Sequence, residues 1–119
     1  MPETLYERLG SSEGIQQIAN DLVDNHLKNP QIAKRFAKTD AKSVKKLAAD
    51  FFIAGSGGPN VYKGKDMVAA HKGMNINNDE FMAMLDDAMA ALEKNNVGQR
   101  EKEEVLFILF SMRADVIRQ

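Results

Sequence analysis

Gly57-Gly58-Pro59-Asn60-Val61-Tyr62-Lys63-Gly64-Lys65-Asp66-Met67-Val68-Ala69-Ala70-His71-Lys72 is the stretch on which the reading of this chain turns. Gly55 to Pro59 ends whatever helix precedes it, because paired glycines and a proline favour loop backbone over helix. A loop through Tyr62 and Gly64 then leads into a very short helical segment, Asp66 to about Gly73. Its inward face reads Met67, Ala70, His71 and Met74. Helices shorter than about 12 to 15 residues are marginal in water, so something must anchor this one. Packing by Met67 and Met74 is one answer, and a coordinate bond from His71 is another.

Working outward, every other apolar run keeps helical spacing. Thr4 caps a short opening helix through Leu5 and Leu9 that Gly10 ends. Ser11 and Ser12 offer a new N-cap. Behind them Ile15, Ile18, Ala19, Leu22, Val23 and Leu27 recur at intervals of three and four, one apolar stripe about four turns long. Asn29-Pro30 stops that helix, and Ile32 and Phe36 fall in a connecting turn. Thr39-Asp40 opens the next, with Val44, Leu47, Ala48, Phe51 and Phe52 on one face. Asn77 or Asn78 caps another, whose stripe is Phe81, Met84, Leu85, Ala88 and Leu92, and Asn95 to Gly98 breaks it. From about Gln99 a last helix carries Val105 to Phe110, apolar all round and therefore expected to be buried on most sides. Alternation never persists, and Val61-Tyr62 is the one weak strand candidate. The fold class is all-α.

Composition narrows the possibilities. With 119 residues, 44% hydrophobic and 28% charged, residues 1–119 are expected to form a single globular domain. The formal net charge of -1 provides no field to draw nucleic acid or an anionic membrane. No apolar run approaches the roughly 20 residues of a membrane span, and Met1 to Tyr6 lacks a signal-peptide core, so a cytoplasmic location is expected. The absence of cysteine removes disulfides, thiolate metal sites and thiol nucleophiles.

His26 and His71 are the only imidazoles. A structural zinc site wants four nitrogen or sulfur ligands and a catalytic one usually three, so zinc is disfavoured. Haem needs only one proximal histidine, plus a wide apolar lining with aromatics, which Phe36, Phe51, Phe52 and Phe81 are spaced to provide. An ordinary core has the same look, and a core histidine bonded to a backbone carbonyl explains His71 equally well. The residues alone leave both readings open.

Thr4-Leu5-Tyr6-Glu7-Arg8-Leu9-Gly10 resembles the opening of the group 1 truncated haemoglobins. The similarity continues through Ile32 to Phe36, through Gly57 to Gly64, into Met67 to Lys72, and over Phe81 to Leu92 and the Asn96-Val97 turn. The resemblance implies a truncated globin, a two-over-two helical sandwich around haem b, with His71 as the metal ligand. It implies haem contacts from Phe36, Val44, Leu47, Phe51, Phe52, Tyr62, Met67, Met74, Phe81 and Met84, Phe52 matching a residue that gates a gas tunnel in some members. Lys42, Lys45 or Lys46 are placed to pair with propionates, although a solvated charged face accounts for them as simply.

Two departures bear on function. Many members carry a tyrosine over the iron where this chain has Val23, preceded by Leu22. Glutamine or histidine is usual along the distal helix, where this chain has Val44, Leu47 and Ala48. The distal pocket therefore reads as almost wholly apolar. Dioxygen gains most from a hydrogen-bond donor beside it, so the expected function is binding of diatomic gases with carbon monoxide and nitric oxide favoured over dioxygen. Oxygen transport is among the roles the resemblance implies, and nitric oxide dioxygenation or weak peroxidation with a reductase partner is the alternative. A monomer is expected. His26 reads as a partly exposed helix histidine, with a role as polar pocket group or sixth ligand the less favoured reading, and Lys46 as a sixth ligand less favoured still.

Overall fold

The structure, a computed structural model, describes residues 4–36, 39–64 and 72–117. Helix α1, Leu5–Arg8, opens on the expected cap: Glu7 N donates to Thr4 Oγ1 at 3.2 Å while the Glu7 carboxylate accepts from Thr4 N. That reciprocal pair satisfies two of the amide groups a helix start leaves without partners. Helix α2, Ser11–Lys28, follows after one corner. Here the expected serine cap gives way: Gly10 is the N-cap at φ 97°, and no side chain caps the helix. The corner is too tight for anything larger, since a Cβ on Gly10 would lie 3.0 Å from the Gly14 Cα. The Ser12 hydroxyl instead bonds the Tyr6 hydroxyl at 2.7 Å.

One face of α2 buries Ile15, Ile18, Ala19, Leu22 and Val23 as the spacing predicts. Its C-terminal end departs from that reading. Leu27 is exposed and His26 is buried in its place, turned inward by a partner on a distant helix. After Asn29 comes a 3₁₀ turn, Ala33–Phe36, then α3, Ala41–Gly55, which starts at Asp40. Helix α4, Asn78–Lys94, begins with a second reciprocal cap between Asn77 and Glu80. Helix α5, Gln99–Ser111, and the single turn α6, Arg113–Val116, complete the described elements. Helix α2 packs against α3 and α4, and α4 against α5, so the core lies between two helix pairs. It is filled by Ile15, Leu22, Ile53, Phe81, Leu85, Leu92, Val105 and Leu109.

The loop after α3 docks back on α1. Tyr6 N donates to Ser56 O at 2.9 Å, and a Cβ on Gly58 would sit 2.5 Å from the Tyr6 ring. The glycine at 58 is therefore required by the tyrosine at 6, although 52 residues separate them. The expected burial of the last helix needs correction. Helix α5 is not buried on most sides: Val105 and Leu109 face the core, whereas Phe107 is 73% and Phe110 50% exposed. Helix α5 packs on its neighbours over one face and turns the other outward. In keeping with the all-α reading, Val61-Tyr62 forms no strand; among the described residues the one β-type contact is a parallel bridge between Ile76 and Ile117. None of the described helices is long and apolar enough to cross a membrane.

Candidate functional site

A cavity of about 310 Å³ opens between α2, the 3₁₀ turn, α3 and α4, with Leu109 of α5 and Val116 of α6 behind it. Phe36, Val44, Leu47, Phe51, Phe52, Tyr62, Met74, Phe81 and Met84, singled out above on the resemblance, all line it. So do Leu22, Val23 and Ala48, the positions of the apolar pocket wall. Met67 and His71 lie outside the described residues, as does most of the short helix expected from Asp66. Tyr62 before that stretch and Met74 after it both reach the cavity.

The stripe on α3 explains why an apolar face is not simply core. Ala49 and Ile53 are the residues α3 buries, while Leu47 on the cavity side remains 46% exposed. Leaving so much apolar surface uncovered is unfavourable by about 25 cal/mol per Å², so a face of this kind marks a place for a ligand. The aromatic side chains brace one another at the rim. Phe51 meets Tyr62 edge-on at 5.3 Å and Phe52 at 5.9 Å. Phe52 also borders two small apolar voids, one reaching Leu9, Ile15 and Val105 and the other Ser56 and Ile108.

Several cavity residues escaped the sequence reading: Ile32, Arg35, Ile76, Glu80, Leu109, Met112 and Val116. Arg35 and Glu80 form a two-pronged ion pair, Nη2 to Oε1 at 2.8 Å and Nε to Oε2 alongside. Arg35 Nη1 also donates to the Met74 carbonyl at 2.9 Å, and Asn77 N donates to Glu80 at 3.2 Å. The pair holds the Glu80 carboxyl below its ordinary range through the Arg35 hydrogen bonds, with burial opposing. It ties the start of α4 and the turn after Lys72 to the 3₁₀ turn.

His26 is the larger surprise. It is buried, not partly exposed, and lines the cavity. Its Nδ1 lies 2.7 Å from Asp87 Oδ2 on α4, and its ring stacks on Phe36 with centroids 5.7 Å apart. Asn29 Nδ2 donates to both Asp87 oxygens, at 3.3 and 3.2 Å, and Asn25 Nδ2 to the Asp87 carbonyl at 3.0 Å. Burial lowers the His26 pKa, and the hydrogen bond and charge of Asp87 oppose that shift. The signal was a histidine at i+3 from Val23 and i+4 from Leu22, which puts it on the apolar face; nothing local pointed to Asp87, 61 residues away.

Charges elsewhere are committed outside the cavity. Lys45 pairs with Asp24 at 2.8 Å and Lys46 with Asp50 at 3.0 Å, the Lys46 side chain largely in solvent. Neither they nor Lys42 are among the residues lining the cavity. Among the described residues no three of His, Cys, Asp or Glu converge as a metal cage.

This geometry has close counterparts. The family profile described as bacterial-like globin matches residues 4–118. A group 1 truncated hemoglobin of Tetrahymena pyriformis is 32% identical over 98% of this chain and 96% of its own length. That of Tetrahymena thermophila is 30% identical over 96% and 94%. The crystal structure of the Tetrahymena pyriformis protein in its Fe(III) form superposes with a TM-score of 0.94 at 31% identity, covering 98% of this chain and 100% of that one. A 2/2 hemoglobin of Synechococcus solved with covalently attached heme gives 0.90 at 26% identity, over 97% and 98%. Forms of the Tetrahymena pyriformis protein with one tyrosine changed to phenylalanine, or a glutamine changed to glutamate, superpose equally well.

Proposed function

The chain belongs to the bacterial-like globin family, with group 1 truncated hemoglobins as its relatives, and from that premise we propose that it holds haem through His71 and binds diatomic gases against an apolar wall. Haem is the cofactor, and it supplies an iron whose open face takes the gas. The observation that carries the reading is the cavity itself, an aromatic-rimmed apolar space left open between packed helices. The residues fit the group: Phe36, Phe51, Phe81, Met74 and Met84 offer flat, apolar contact, and few charged side chains share the lining. His71 is three residues before the cavity-lining Met74 in sequence, a span of at most about 10 Å of chain, which supports it as the ligand.

The protein's own contribution is access and polarity. Val23, Val44 and Ala48 replace donor-bearing residues with hydrocarbon. Polar side chains at the wall are engaged within the protein: Arg35 with Glu80 and Met74, and His26 Nδ1 with Asp87. Tyr62 is not free either. Such a wall favours reversible binding over nitric oxide dioxygenation with a reductase, which needs dioxygen held long enough to react. Hemin titrated into the purified protein is expected to saturate at equimolar ratio with a Soret band, and His71→Ala to lose it. Equal hemin affinity in the His71→Ala protein would overturn the assignment.

A further inference from the structure

The polar side chains Arg35 and Glu80 at the cavity engage each other, yet the cavity has an acceptor in His26. Opposite the Asp87 carboxylate, which can only accept, His26 Nδ1 must be the nitrogen that carries the proton. A neutral imidazole holding its proton at Nδ1 leaves a lone pair on Nε2. Among the described residues Nε2 has no hydrogen-bond partner, and no side-chain polar atom is sealed from solvent without one. His26 lines the cavity, and its unpartnered Nε2 keeps accessible surface, as an acceptor for the cavity's occupant requires. A carboxylate behind a histidine fixes its tautomer and orientation and raises the basicity of the far nitrogen. Asn29 holds both Asp87 oxygens, and the stack on Phe36 fixes the plane of the ring.

We propose that the His26–Asp87 pair is the proton acceptor of this cavity, and that it favours small weak acids, hydrogen cyanide and hydrogen peroxide among them, which lose a proton as they bind. This rests on the haem reading. In the step itself the H–X bond breaks, its electron pair stays on X, and the proton passes to His26 Nε2. The imidazolium then lies between the Asp87 carboxylate and the new anion. Nothing is oxidised or reduced. The other ionisable groups at the cavity are Arg35 and Glu80, which neutralise each other, and Tyr62. Burial lowers the His26 pKa against the pull of Asp87, which favours the neutral form an acceptor needs.

The test uses the ferric, haem-loaded protein, with His26→Leu and Asp87→Asn variants, and cyanide, hydrogen peroxide and carbon monoxide (on the reduced form) as probes. At pH 6 to 7 a positioned general base contributes about a hundredfold or more, so cyanide and peroxide association should slow by about that factor in His26→Leu. Asp87→Asn should fall between the two. Carbon monoxide carries no proton and reports any steric change alone. A second readout is the proton released to a pH indicator in weakly buffered solution as cyanide binds. The parent protein should release well under one proton per cyanide and His26→Leu close to one. Equal release by both proteins, or the same slowing of cyanide and carbon monoxide, overturns the proposal while leaving the haem reading intact. A folded protein that takes up no hemin overturns both. Should His26→Leu fail to fold, Asp87→Asn decides on the same two readouts.

Discussion

Replacing Val23 with tyrosine puts a hydroxyl donor into a wall whose nearby residues on α2 and α3, Leu22, Val44 and Ala48, carry none. Val23 is 2% exposed on α2 and lines the cavity beside Leu22. A larger ring in a packed core ordinarily costs about 1–3 kcal/mol. Here the position borders the cavity in which haem and its gas are proposed to sit, so the ring enters ligand space and not packed core on that side. The hydroxyl then meets the gas with its polar end. A hydrogen bond to a charged partner is worth about 1.5–3 kcal/mol, which at 1.36 kcal/mol per factor of ten is roughly a ten- to hundredfold slower dioxygen dissociation. Carbon monoxide binds less polar and should slow by no more than about threefold, leaving a net shift in gas preference. Val23→Phe carries the same ring without the hydroxyl and isolates bulk from bonding. The assay is stopped-flow displacement of dioxygen from the ferrous protein by excess carbon monoxide. If Val23→Tyr and Val23→Phe lose dioxygen at the same rate, or if dioxygen already leaves the parent protein as slowly as it leaves the tyrosine variant, the donor-poor wall is a misreading.

Two further outcomes follow from the described contacts. Phe52→Ala removes the ring shared by the cavity and the two small voids beyond it, so laser-flash association of carbon monoxide should accelerate several-fold; an unchanged rate means gas does not pass that way. The same change should cost up to about 3 kcal/mol in urea unfolding, at the low end for a phenylalanine because the side chain is only half buried. For pH, Asp21 is buried, and although burial alone would raise its carboxyl pKa, hydrogen bonds from Asn95 and Gln17 and the charge of Lys94 hold it below the ordinary value. The unfolded chain then takes up that proton first, so the stability Asp21 contributes is present above about pH 4 and is lost as the pH falls through its folded pKa. The His26 pKa is also lowered, so the unfolded imidazole protonates first below about pH 6.5 and stability declines from there on acidification. Thermal melts of the apoprotein across pH 3 to 8 should lose the lower step in Asp21→Asn and the upper in His26→Leu; two unchanged profiles would contradict the linkage.

Much of the fold was legible because helix periodicity is a local signal. Thr4 with Glu7 and Asn77 with Glu80 are four-residue patterns, and both became reciprocal caps. The stripes on α2 and α4 record one buried face each, and spacing is enough to find them; the stripe on α3 lines the cavity, while that helix buries Ala49 and Ile53. Failures occurred where neighbours decide. Whether Phe107 is covered depends on what lies beside α5, and Val105 to Phe110 has the same spelling in either case. Likewise Ser11 and Ser12 are good caps in isolation, but the corner at Gly10 left them no cap geometry to adopt. The resemblance located most of the cavity wall, since it carries the outcome of packing that a single sequence does not spell out.

What neither periodicity nor resemblance conveyed is that a wall can be poor in donors without being inert. Arg35 and Glu80, and His26 and Asp87, join elements 45 and 61 residues apart, and each pair cancels most of the polarity its members would show singly. Reading composition position by position, the wall is hydrocarbon with a few stray charges. Reading partners, Arg35, Glu80 and His26 Nδ1 are engaged within the protein, and one nitrogen lone pair, that of His26 Nε2, has no partner among the described residues. Dioxygen is sensitive to donors and carbon monoxide to neither kind of group, so for those gases the apolar description suffices. For a ligand that must shed a proton it does not, because the acceptor at His26 acts on that ligand alone. Selectivity in this cavity therefore follows from which end of each polar pair faces inward, a property set by tertiary contacts and measurable one ligand class at a time.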